Sequence, residues 1–284
     1  MDRRQHRRAG KTAVTVGLVV GLGAGATGCG GATAEGAGGD PGDRTVTLLT
    51  RAADTLRSTR TSKATTSMEM ATGGTRVTIR GKGVYDYDKQ LGKLTVVLPQ
   101  DPAGTPEHRP ITELLAPGAL FMKNRGAGVP ADKWVRVDTA ALSDGNLVTG
   151  GATDPYAAAE LLRGTRTATY VGKTELAGTE VRHYRGTADL AAAARSASAG
   201  NRASLAAAAK GFATAEVPFD AYLDDQGRIR KLRERFSFVN DSRQGTVAVA
   251  STTLLYDFGT PVAVELPRPQ DIYAGRIAEN QPAH

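Results

Sequence analysis

The stretch that decides the fold is Thr75–Tyr87, TRVTIRGKGVYDY. Val77, Ile79, Tyr85 and Tyr87 fall on one face at a period of two. Arg76, Arg80, Lys82 and Asp86 fall on the other, with Val84 the exception. Such alternation belongs to a strand with one buried and one wetted face. Met68 and Met70 alternate just before it, and Leu94, Val96 and Leu98 just after. Gly73-Gly74 and Asp88–Gln90 separate the three runs with turn residues. The pattern predicts an antiparallel meander.

The same period recurs along the chain. Residues 99–110 are Pro- and Gly-rich loop, and Ala119–Asn124 and Lys133–Asp138 form a further strand pair. Trp134, the single tryptophan, reads as a packed aromatic on a half-buried strand. Ala168–Lys173 and Thr179–Ala188 are joined through Gly178, and Val217–Leu223, Ile229–Phe238 and Thr246–Phe258 close the series. Helical signals are fewer. Asp43 or Thr45 caps a helix to about Ser58, with Val46, Leu49, Ala53 and Leu56 on one face. Asp154-Pro155 starts another, to about Arg163. The Ala-rich segment 190–213 predicts a helix broken at Gly200-Asn201, too weakly apolar for core and expected as a flap. Nine to eleven strands with two or three helices predict one α+β domain over residues 44–275, built on a large curved antiparallel sheet. Residues 276–284 read as a loose tail.

Composition sharpens the picture. Residues 1–11 carry Arg3, Arg4, Arg7, Arg8 and Lys11, and an uncharged run, TAVTVGLVVGLGAGA, fills 12–26. A basic segment, a short apolar one and small residues before a cut make a secretory signal. The apolar run falls short of the ~20 residues a spanning helix needs. Cys29, the only cysteine, follows in ATGCG. That placement resembles a bacterial lipobox, although Ala26 stands where the motif has Leu. The resemblance implies a signal peptide over 1–28 and a diacylglycerol on Cys29. Residues 30–43, GGATAEGAGGDPGD, read as a flexible tether reaching roughly 20 Å. Without the first 28 residues, 31 basic side chains face 28 acidic ones. The high pI is therefore largely a property of the leader, and a nucleic-acid partner loses its main support.

Catalytic patterns are missing. Past the leader the histidines are His108, His183 and His284, and no two have metal-ligand spacing. No G-x-S-x-G, H-E-x-x-H or S-x-x-K occurs. Asp220, Asp224 and Asp225 could suggest calcium, but Asp224–Gly227 reads as a turn. We therefore expect no enzyme, cofactor or metal. Arg228, Arg230, Lys231, Arg233 and Arg235 make one strand strongly basic; it reads as a solvated face or as one contacting anionic headgroups.

Several short motifs fall in a telling order: Phe121-Met122-Lys123, Lys133–Asp138 (KWVRVD), Tyr170-Val171-Gly172, His183-Tyr184, Leu223–Gly227 (LDDQG) and Tyr256–Gly259 (YDFG). Together with the lipobox they resemble the LppX/LprG-type actinobacterial lipoproteins, which share the LolA/LolB-like lipid-carrier fold. The Ala, Gly and Arg bias also looks actinobacterial. The resemblance implies a half-open β-barrel with helices on its concave side and an apolar cavity for acyl chains of a lipid or glycolipid. It also implies an extracytoplasmic, membrane-anchored location. Val96, Leu98, Leu120, Met122, Phe236 and Phe238 are the candidate lining residues, with Arg233 on the opposite face. The competing expectation is the same sheet fully plugged, as a tethered module for an export or cell-envelope protein or a wall polymer.

Overall fold

The structure, a computed structural model, describes residues 41–72, 75–99, 109–126, 128–240 and 245–274. The leader, Cys29, most of the tether, the Gly73-Gly74 turn and the tail lie outside the described residues.

Eleven strands form one antiparallel sheet: β1 (Thr61–Thr72), β2 (Thr75–Asp86), β3 (Leu91–Val97), β4 (Ile111–Ala116), β5 (Ala119–Lys123), β6 (Val135–Asp138), β7 (Thr165–Leu176), β8 (Thr179–Asp189), β9 (Glu216–Leu223), β10 (Ile229–Asn240) and β11 (Gly245–Tyr256). Their order across the sheet is β6-β5-β4-β3-β2-β1-β11-β10-β9-β8-β7. Two meanders thus meet where β1 pairs with β11. Edges β6 and β7 do not pair with one another. The sheet is an open half-barrel, and the helices cover its concave side.

Strand β4 is the element that sequence reading missed. ITELLA shows no alternation: Leu114 and Leu115 are consecutive and both buried. The structure explains this. The C-terminal segment covers the outer side of β4 and β5, where Leu114, Ala119 and Phe121 pack with Trp134, Val264 and Ile272. Strands covered on both faces lose the period-two signal.

Five helices replace the expected two or three, because two regions each break in two. Helices α1 (Pro41–Thr50) and α2 (Ala52–Ser58) flank Arg51. The first begins at Pro41, ahead of the expected caps. Helix α3 (Pro155–Leu161) starts as expected, with Asp154 accepting from the amides of Tyr156 and Ala157 at 2.8 and 3.1 Å. Helices α4 (Leu190–Ser196) and α5 (Ala199–Gly211) divide at Ala197-Ser198, both extended, rather than at Gly200-Asn201. The break is held by Glu160, which accepts from the backbone amide and the hydroxyl of Ser198, each at 2.8 Å. The expected flap is core instead: Leu190, Ala193, Leu205 and Ala208 are fully or almost fully buried. Small side chains let these helices lie close to their neighbours, so alanines suffice to fill the layer.

Candidate functional site

Four of the six candidate residues are buried together under the sheet's concave side. Val96 and Leu120 are wholly buried, Met122 and Phe236 nearly so, and all four join one apolar cluster with Leu94, Ile111 and Phe219. Leu98, just past β3, is half-buried against that cluster. Phe238 pairs with Val247 in the β10–β11 ladder, and its side chain lies outside the described residues. Arg233 faces the other way, 3.8 Å from Glu69.

The lining is not an open cavity in this structure. A cover lies on it, made of residues 139–162 with α4 and α5. Loop 142–153 is its non-helical part. Asp144 ties this loop by accepting from the amides of Asn146, Val148 and Thr149. Arg125 donates to the carbonyls of Thr149 and Gly150, each at 3.2 Å. The hydroxyls of Thr153 and Ser251 (β11) meet at 2.6 Å, which pins the loop to the sheet. Gly81 on β2 makes room for this approach. A Cβ there would stand 2.5 Å from the Thr66 hydroxyl and 3.1 Å from the Ala152 methyl. Two grooves open at the margins. One, of about 530 Å³, runs along the ends of β8–β10, lined mainly by residues of the outward parity (Thr187, Pro218, Arg235, Ser237), and reaches Phe236, whose ring stacks on Phe212 at 4.9 Å. The other, of about 560 Å³, lies between residues 140–143 and α5 with an alanine floor.

Beneath the cover lies a polar seam that sequence reading did not single out. Glu113 (β4) is fully buried, and neither carboxylate oxygen has a hydrogen-bond partner in the protein. Burial pushes its pKa up to about 8, against a smaller opposing pull from Arg125. Glu234 (β10) is buried likewise with one oxygen unpartnered, and burial raises it well above the ordinary carboxylate range. The Asn146 side-chain oxygen and the Thr66 and Thr253 hydroxyls are also unpartnered. Glu113 and Asn146 converge: a Cβ built on Gly150 would lie 3.5 Å from Glu113 Oε1 and 2.8 Å from Asn146 Oδ1. Glu234 was legible in principle, because it sits at period two between Leu232 and Phe236. Glu113 was hidden with its strand.

The other candidates are accounted for on the outer face and its turns. Asp224 accepts from the amides of Gln226 and Arg228 and from the Arg228 guanidinium, so the turn explains it without a metal. Asp220 accepts from His183, Arg185 and Arg235 at 2.7–3.0 Å. Despite partial desolvation, these donors hold its pKa down at about 2. Among the described residues, no group of three or more His, Cys, Asp or Glu is arranged to hold a metal. No described helix is long and apolar enough to cross a membrane.

No protein-family model matches the chain, and no curated protein matches it. Solved structures do. The lipoprotein LppX of Mycobacterium tuberculosis is similar with a TM-score of 0.46 and 9% identity, covering 78% of this chain and 99% of its own. LprF from Mycobacterium bovis has a TM-score of 0.39 and 14% identity, over 81% and 99% of the two chains. A LolA-superfamily protein from Nitrosomonas europaea has a TM-score of 0.33 and 9% identity, over 75% and 94%. The structural neighbours thus include lipoproteins and LolA-type proteins, the group that the sequence resembles.

Proposed function

We propose that this chain is an exported lipoprotein, anchored through Cys29, that binds the acyl chains of a lipid or glycolipid on the concave face of its sheet. It performs no catalysis in this reading. The observation that carries it is the continuous apolar lining of the sheet, met by a separate cover in which alanines (Ala152, Ala157, Ala193, Ala208) are interspersed with larger buried side chains (Leu147, Tyr156, Leu205). Beneath it both Glu113 oxygens and one side-chain oxygen each of Glu234 and Asn146 have no partner, and each such group costs about 1–3 kcal/mol. Glu113 and Asn146 lie against Gly150 of loop 142–153, so opening this loop would relieve part of that cost. An acyl chain entering from the marginal grooves would exchange the bilayer for a comparable apolar surface. A lipid gains nothing further from hydrophobicity, since its chains are already satisfied in the bilayer. The cavity has only to match it.

The ties through Asp144, Arg125 and Glu160 favour the second reading, in which the cover stays shut and the domain binds an export or envelope protein. A removable staple separates the two. In a Cys29→Ser background, Thr153→Cys with Ser251→Cys replaces two touching hydroxyls by a thiol pair that joins loop to sheet. Uptake of radiolabelled phospholipid from vesicles is expected to fall at least tenfold on oxidation and to recover with reductant. Equal uptake by the oxidised and reduced forms, or none by either and none by the parent chain, would sink the carrier reading. The anchor has its own test: Cys29→Ser is expected to move the exported protein from the membrane to the soluble fraction, and persistence in the membrane would place the anchor elsewhere.

A further inference from the structure

The outer face of the same strands carries a second surface, and the register aligns it. One cross-strand rung runs Arg80, Ser67, Thr252, Arg233 over β2, β1, β11 and β10. The next runs Lys82, Thr65, Leu254, Lys231. Two basic ridges therefore flank a small-residue strip two strands wide. They stand about 14 Å apart, three inter-strand spacings. Arg76 extends one ridge and Arg235 the other. Arg80 and Lys82 are exposed and make no ion pair among the described residues. Among the described residues, two carboxylates pair with the ridge cations. Glu69 reaches Arg233 at 3.8 Å, and Asp220 is shared among His183, Arg185 and Arg235. The cations outnumber them in a chain whose charge past the leader is nearly balanced.

We propose that this outer face docks on an anionic bilayer. Charge complementarity selects a phosphate-bearing surface, and the apolar side chains select a membrane over a soluble polyanion. Leu254 lies between the ridges, 38% exposed, and Val97 lies beside Arg80, 51% exposed. A headgroup layer offers such side chains an acyl boundary beneath the phosphates. A polyphosphate chain offers them only water. The Lys231 ammonium rests over the Tyr222 ring at 4.9 Å, which presents an amphipathic pair at the same level. Docked in this way, the sheet would lie against the bilayer and turn its helix-covered side away. The proposal rests on the sheet register and does not require that the concave face hold lipid.

The test uses the full chain with Cys29→Ser, with and without Arg80→Ser plus Lys82→Ser. Both proteins keep the basic leader, so their difference reads the sheet face alone. Co-sedimentation with phosphatidylcholine vesicles, with and without phosphatidylglycerol, measures binding at low and physiological salt. Each lost cation is expected to weaken binding to the anionic vesicles about fivefold, and the pair about 25-fold. Binding should also fall as salt shortens the screening length to about 8 Å at 0.15 M. Lys231→Ser, on the opposite ridge, gives the single fivefold step if the double variant fails to fold. Equal binding by parent and variants, or equal binding to neutral vesicles, overturns the proposal. Displacement from anionic vesicles by soluble polyphosphate at matched charge concentration and ionic strength also overturns it, in favour of a polyanion site.

Discussion

The two faces of one set of strands handle carboxylates in opposite ways. On the concave side, Glu113 and Glu234 make no ion pair among the described residues, and burial raises both above the ordinary carboxylate range. On the convex side, Asp220 is nearly as buried as a residue, yet three cationic or potentially cationic side chains hold it ionised with a pKa of about 2. Burial alone therefore does not set the charge of a carboxyl in this fold. The partners do, and they follow from which parity of the strand a residue occupies. The inner parity is apolar with a few neutral polar groups. The outer parity is ionic. On the two proposals made above, the sheet would meet acyl chains on one side and headgroups on the other.

The comparison is broken most forcefully by moving a charge to the wrong face. Val96 is wholly buried, packed near Ile79, Gly81 and Gly151. Val96→Asp puts an unpaired carboxylate there and is expected to cost about 4 kcal/mol or more, enough to unfold much of the population. Arg233→Asp on the outer face removes one loose ion pair with Glu69, and is expected to change stability by about 1 kcal/mol or less. Urea midpoints measure both. A larger loss from Arg233→Asp than from Val96→Asp would mean that the faces have been exchanged, and similar losses that they do not differ.

How much of this was legible depends on what each residue had to contend with. Strands with one wet face announced themselves: β3 and β10 alternate, and their candidates Val96 and Phe236 fall in one buried cluster. The hidden parts share a cause, which is tertiary cover. Strand β4 lost its alternation because Trp134 and Ile272 come over its outer side from distant sequence. The Ala-rich helices looked too weakly apolar for core, because composition does not reveal that small side chains suit a close-packed layer. The break at Ser198 depends on Glu160, 38 residues away, and nothing local marks it. The polar seam was illegible for a related reason. A glutamate at an inward position looks like noise in the pattern until the surrounding cover is known.

The subtler comparison between the faces is their response to pH, and here the signs are opposite. Glu113 has an ordinary value of 4.5 and about 8 in the folded protein. Below pH 4.5 folded and unfolded chains both hold its proton, and its contribution is fully present. From about 4.5 to 8 only the unfolded chain releases the proton, so stability falls as pH rises, by about 1.4 kcal/mol per pH unit for one such group. Asp154, raised by burial from 3.8 to about 6, adds a fall of the same sign over the lower part of that window. Asp220 does the reverse: depressed from 3.8 to about 2, it stabilises above 3.8 and loses that contribution as pH drops through 2. Its Arg partners are half-exposed, which screens the effect to roughly 1–2 kcal/mol. Glu113→Gln imitates the protonated acid at all pH values. It is expected to match the parent near pH 4.5, to exceed it in stability at pH 8, and to flatten the alkaline arm of the profile. Asp220→Asn is expected to flatten the acid arm instead, at a lower stability near neutrality. Chemical denaturation of the parent and both variants across this range reads the two arms separately. If Glu113→Gln leaves the alkaline slope unchanged, Glu113 is ionised under the cover, and the seam is wetter than its burial implies.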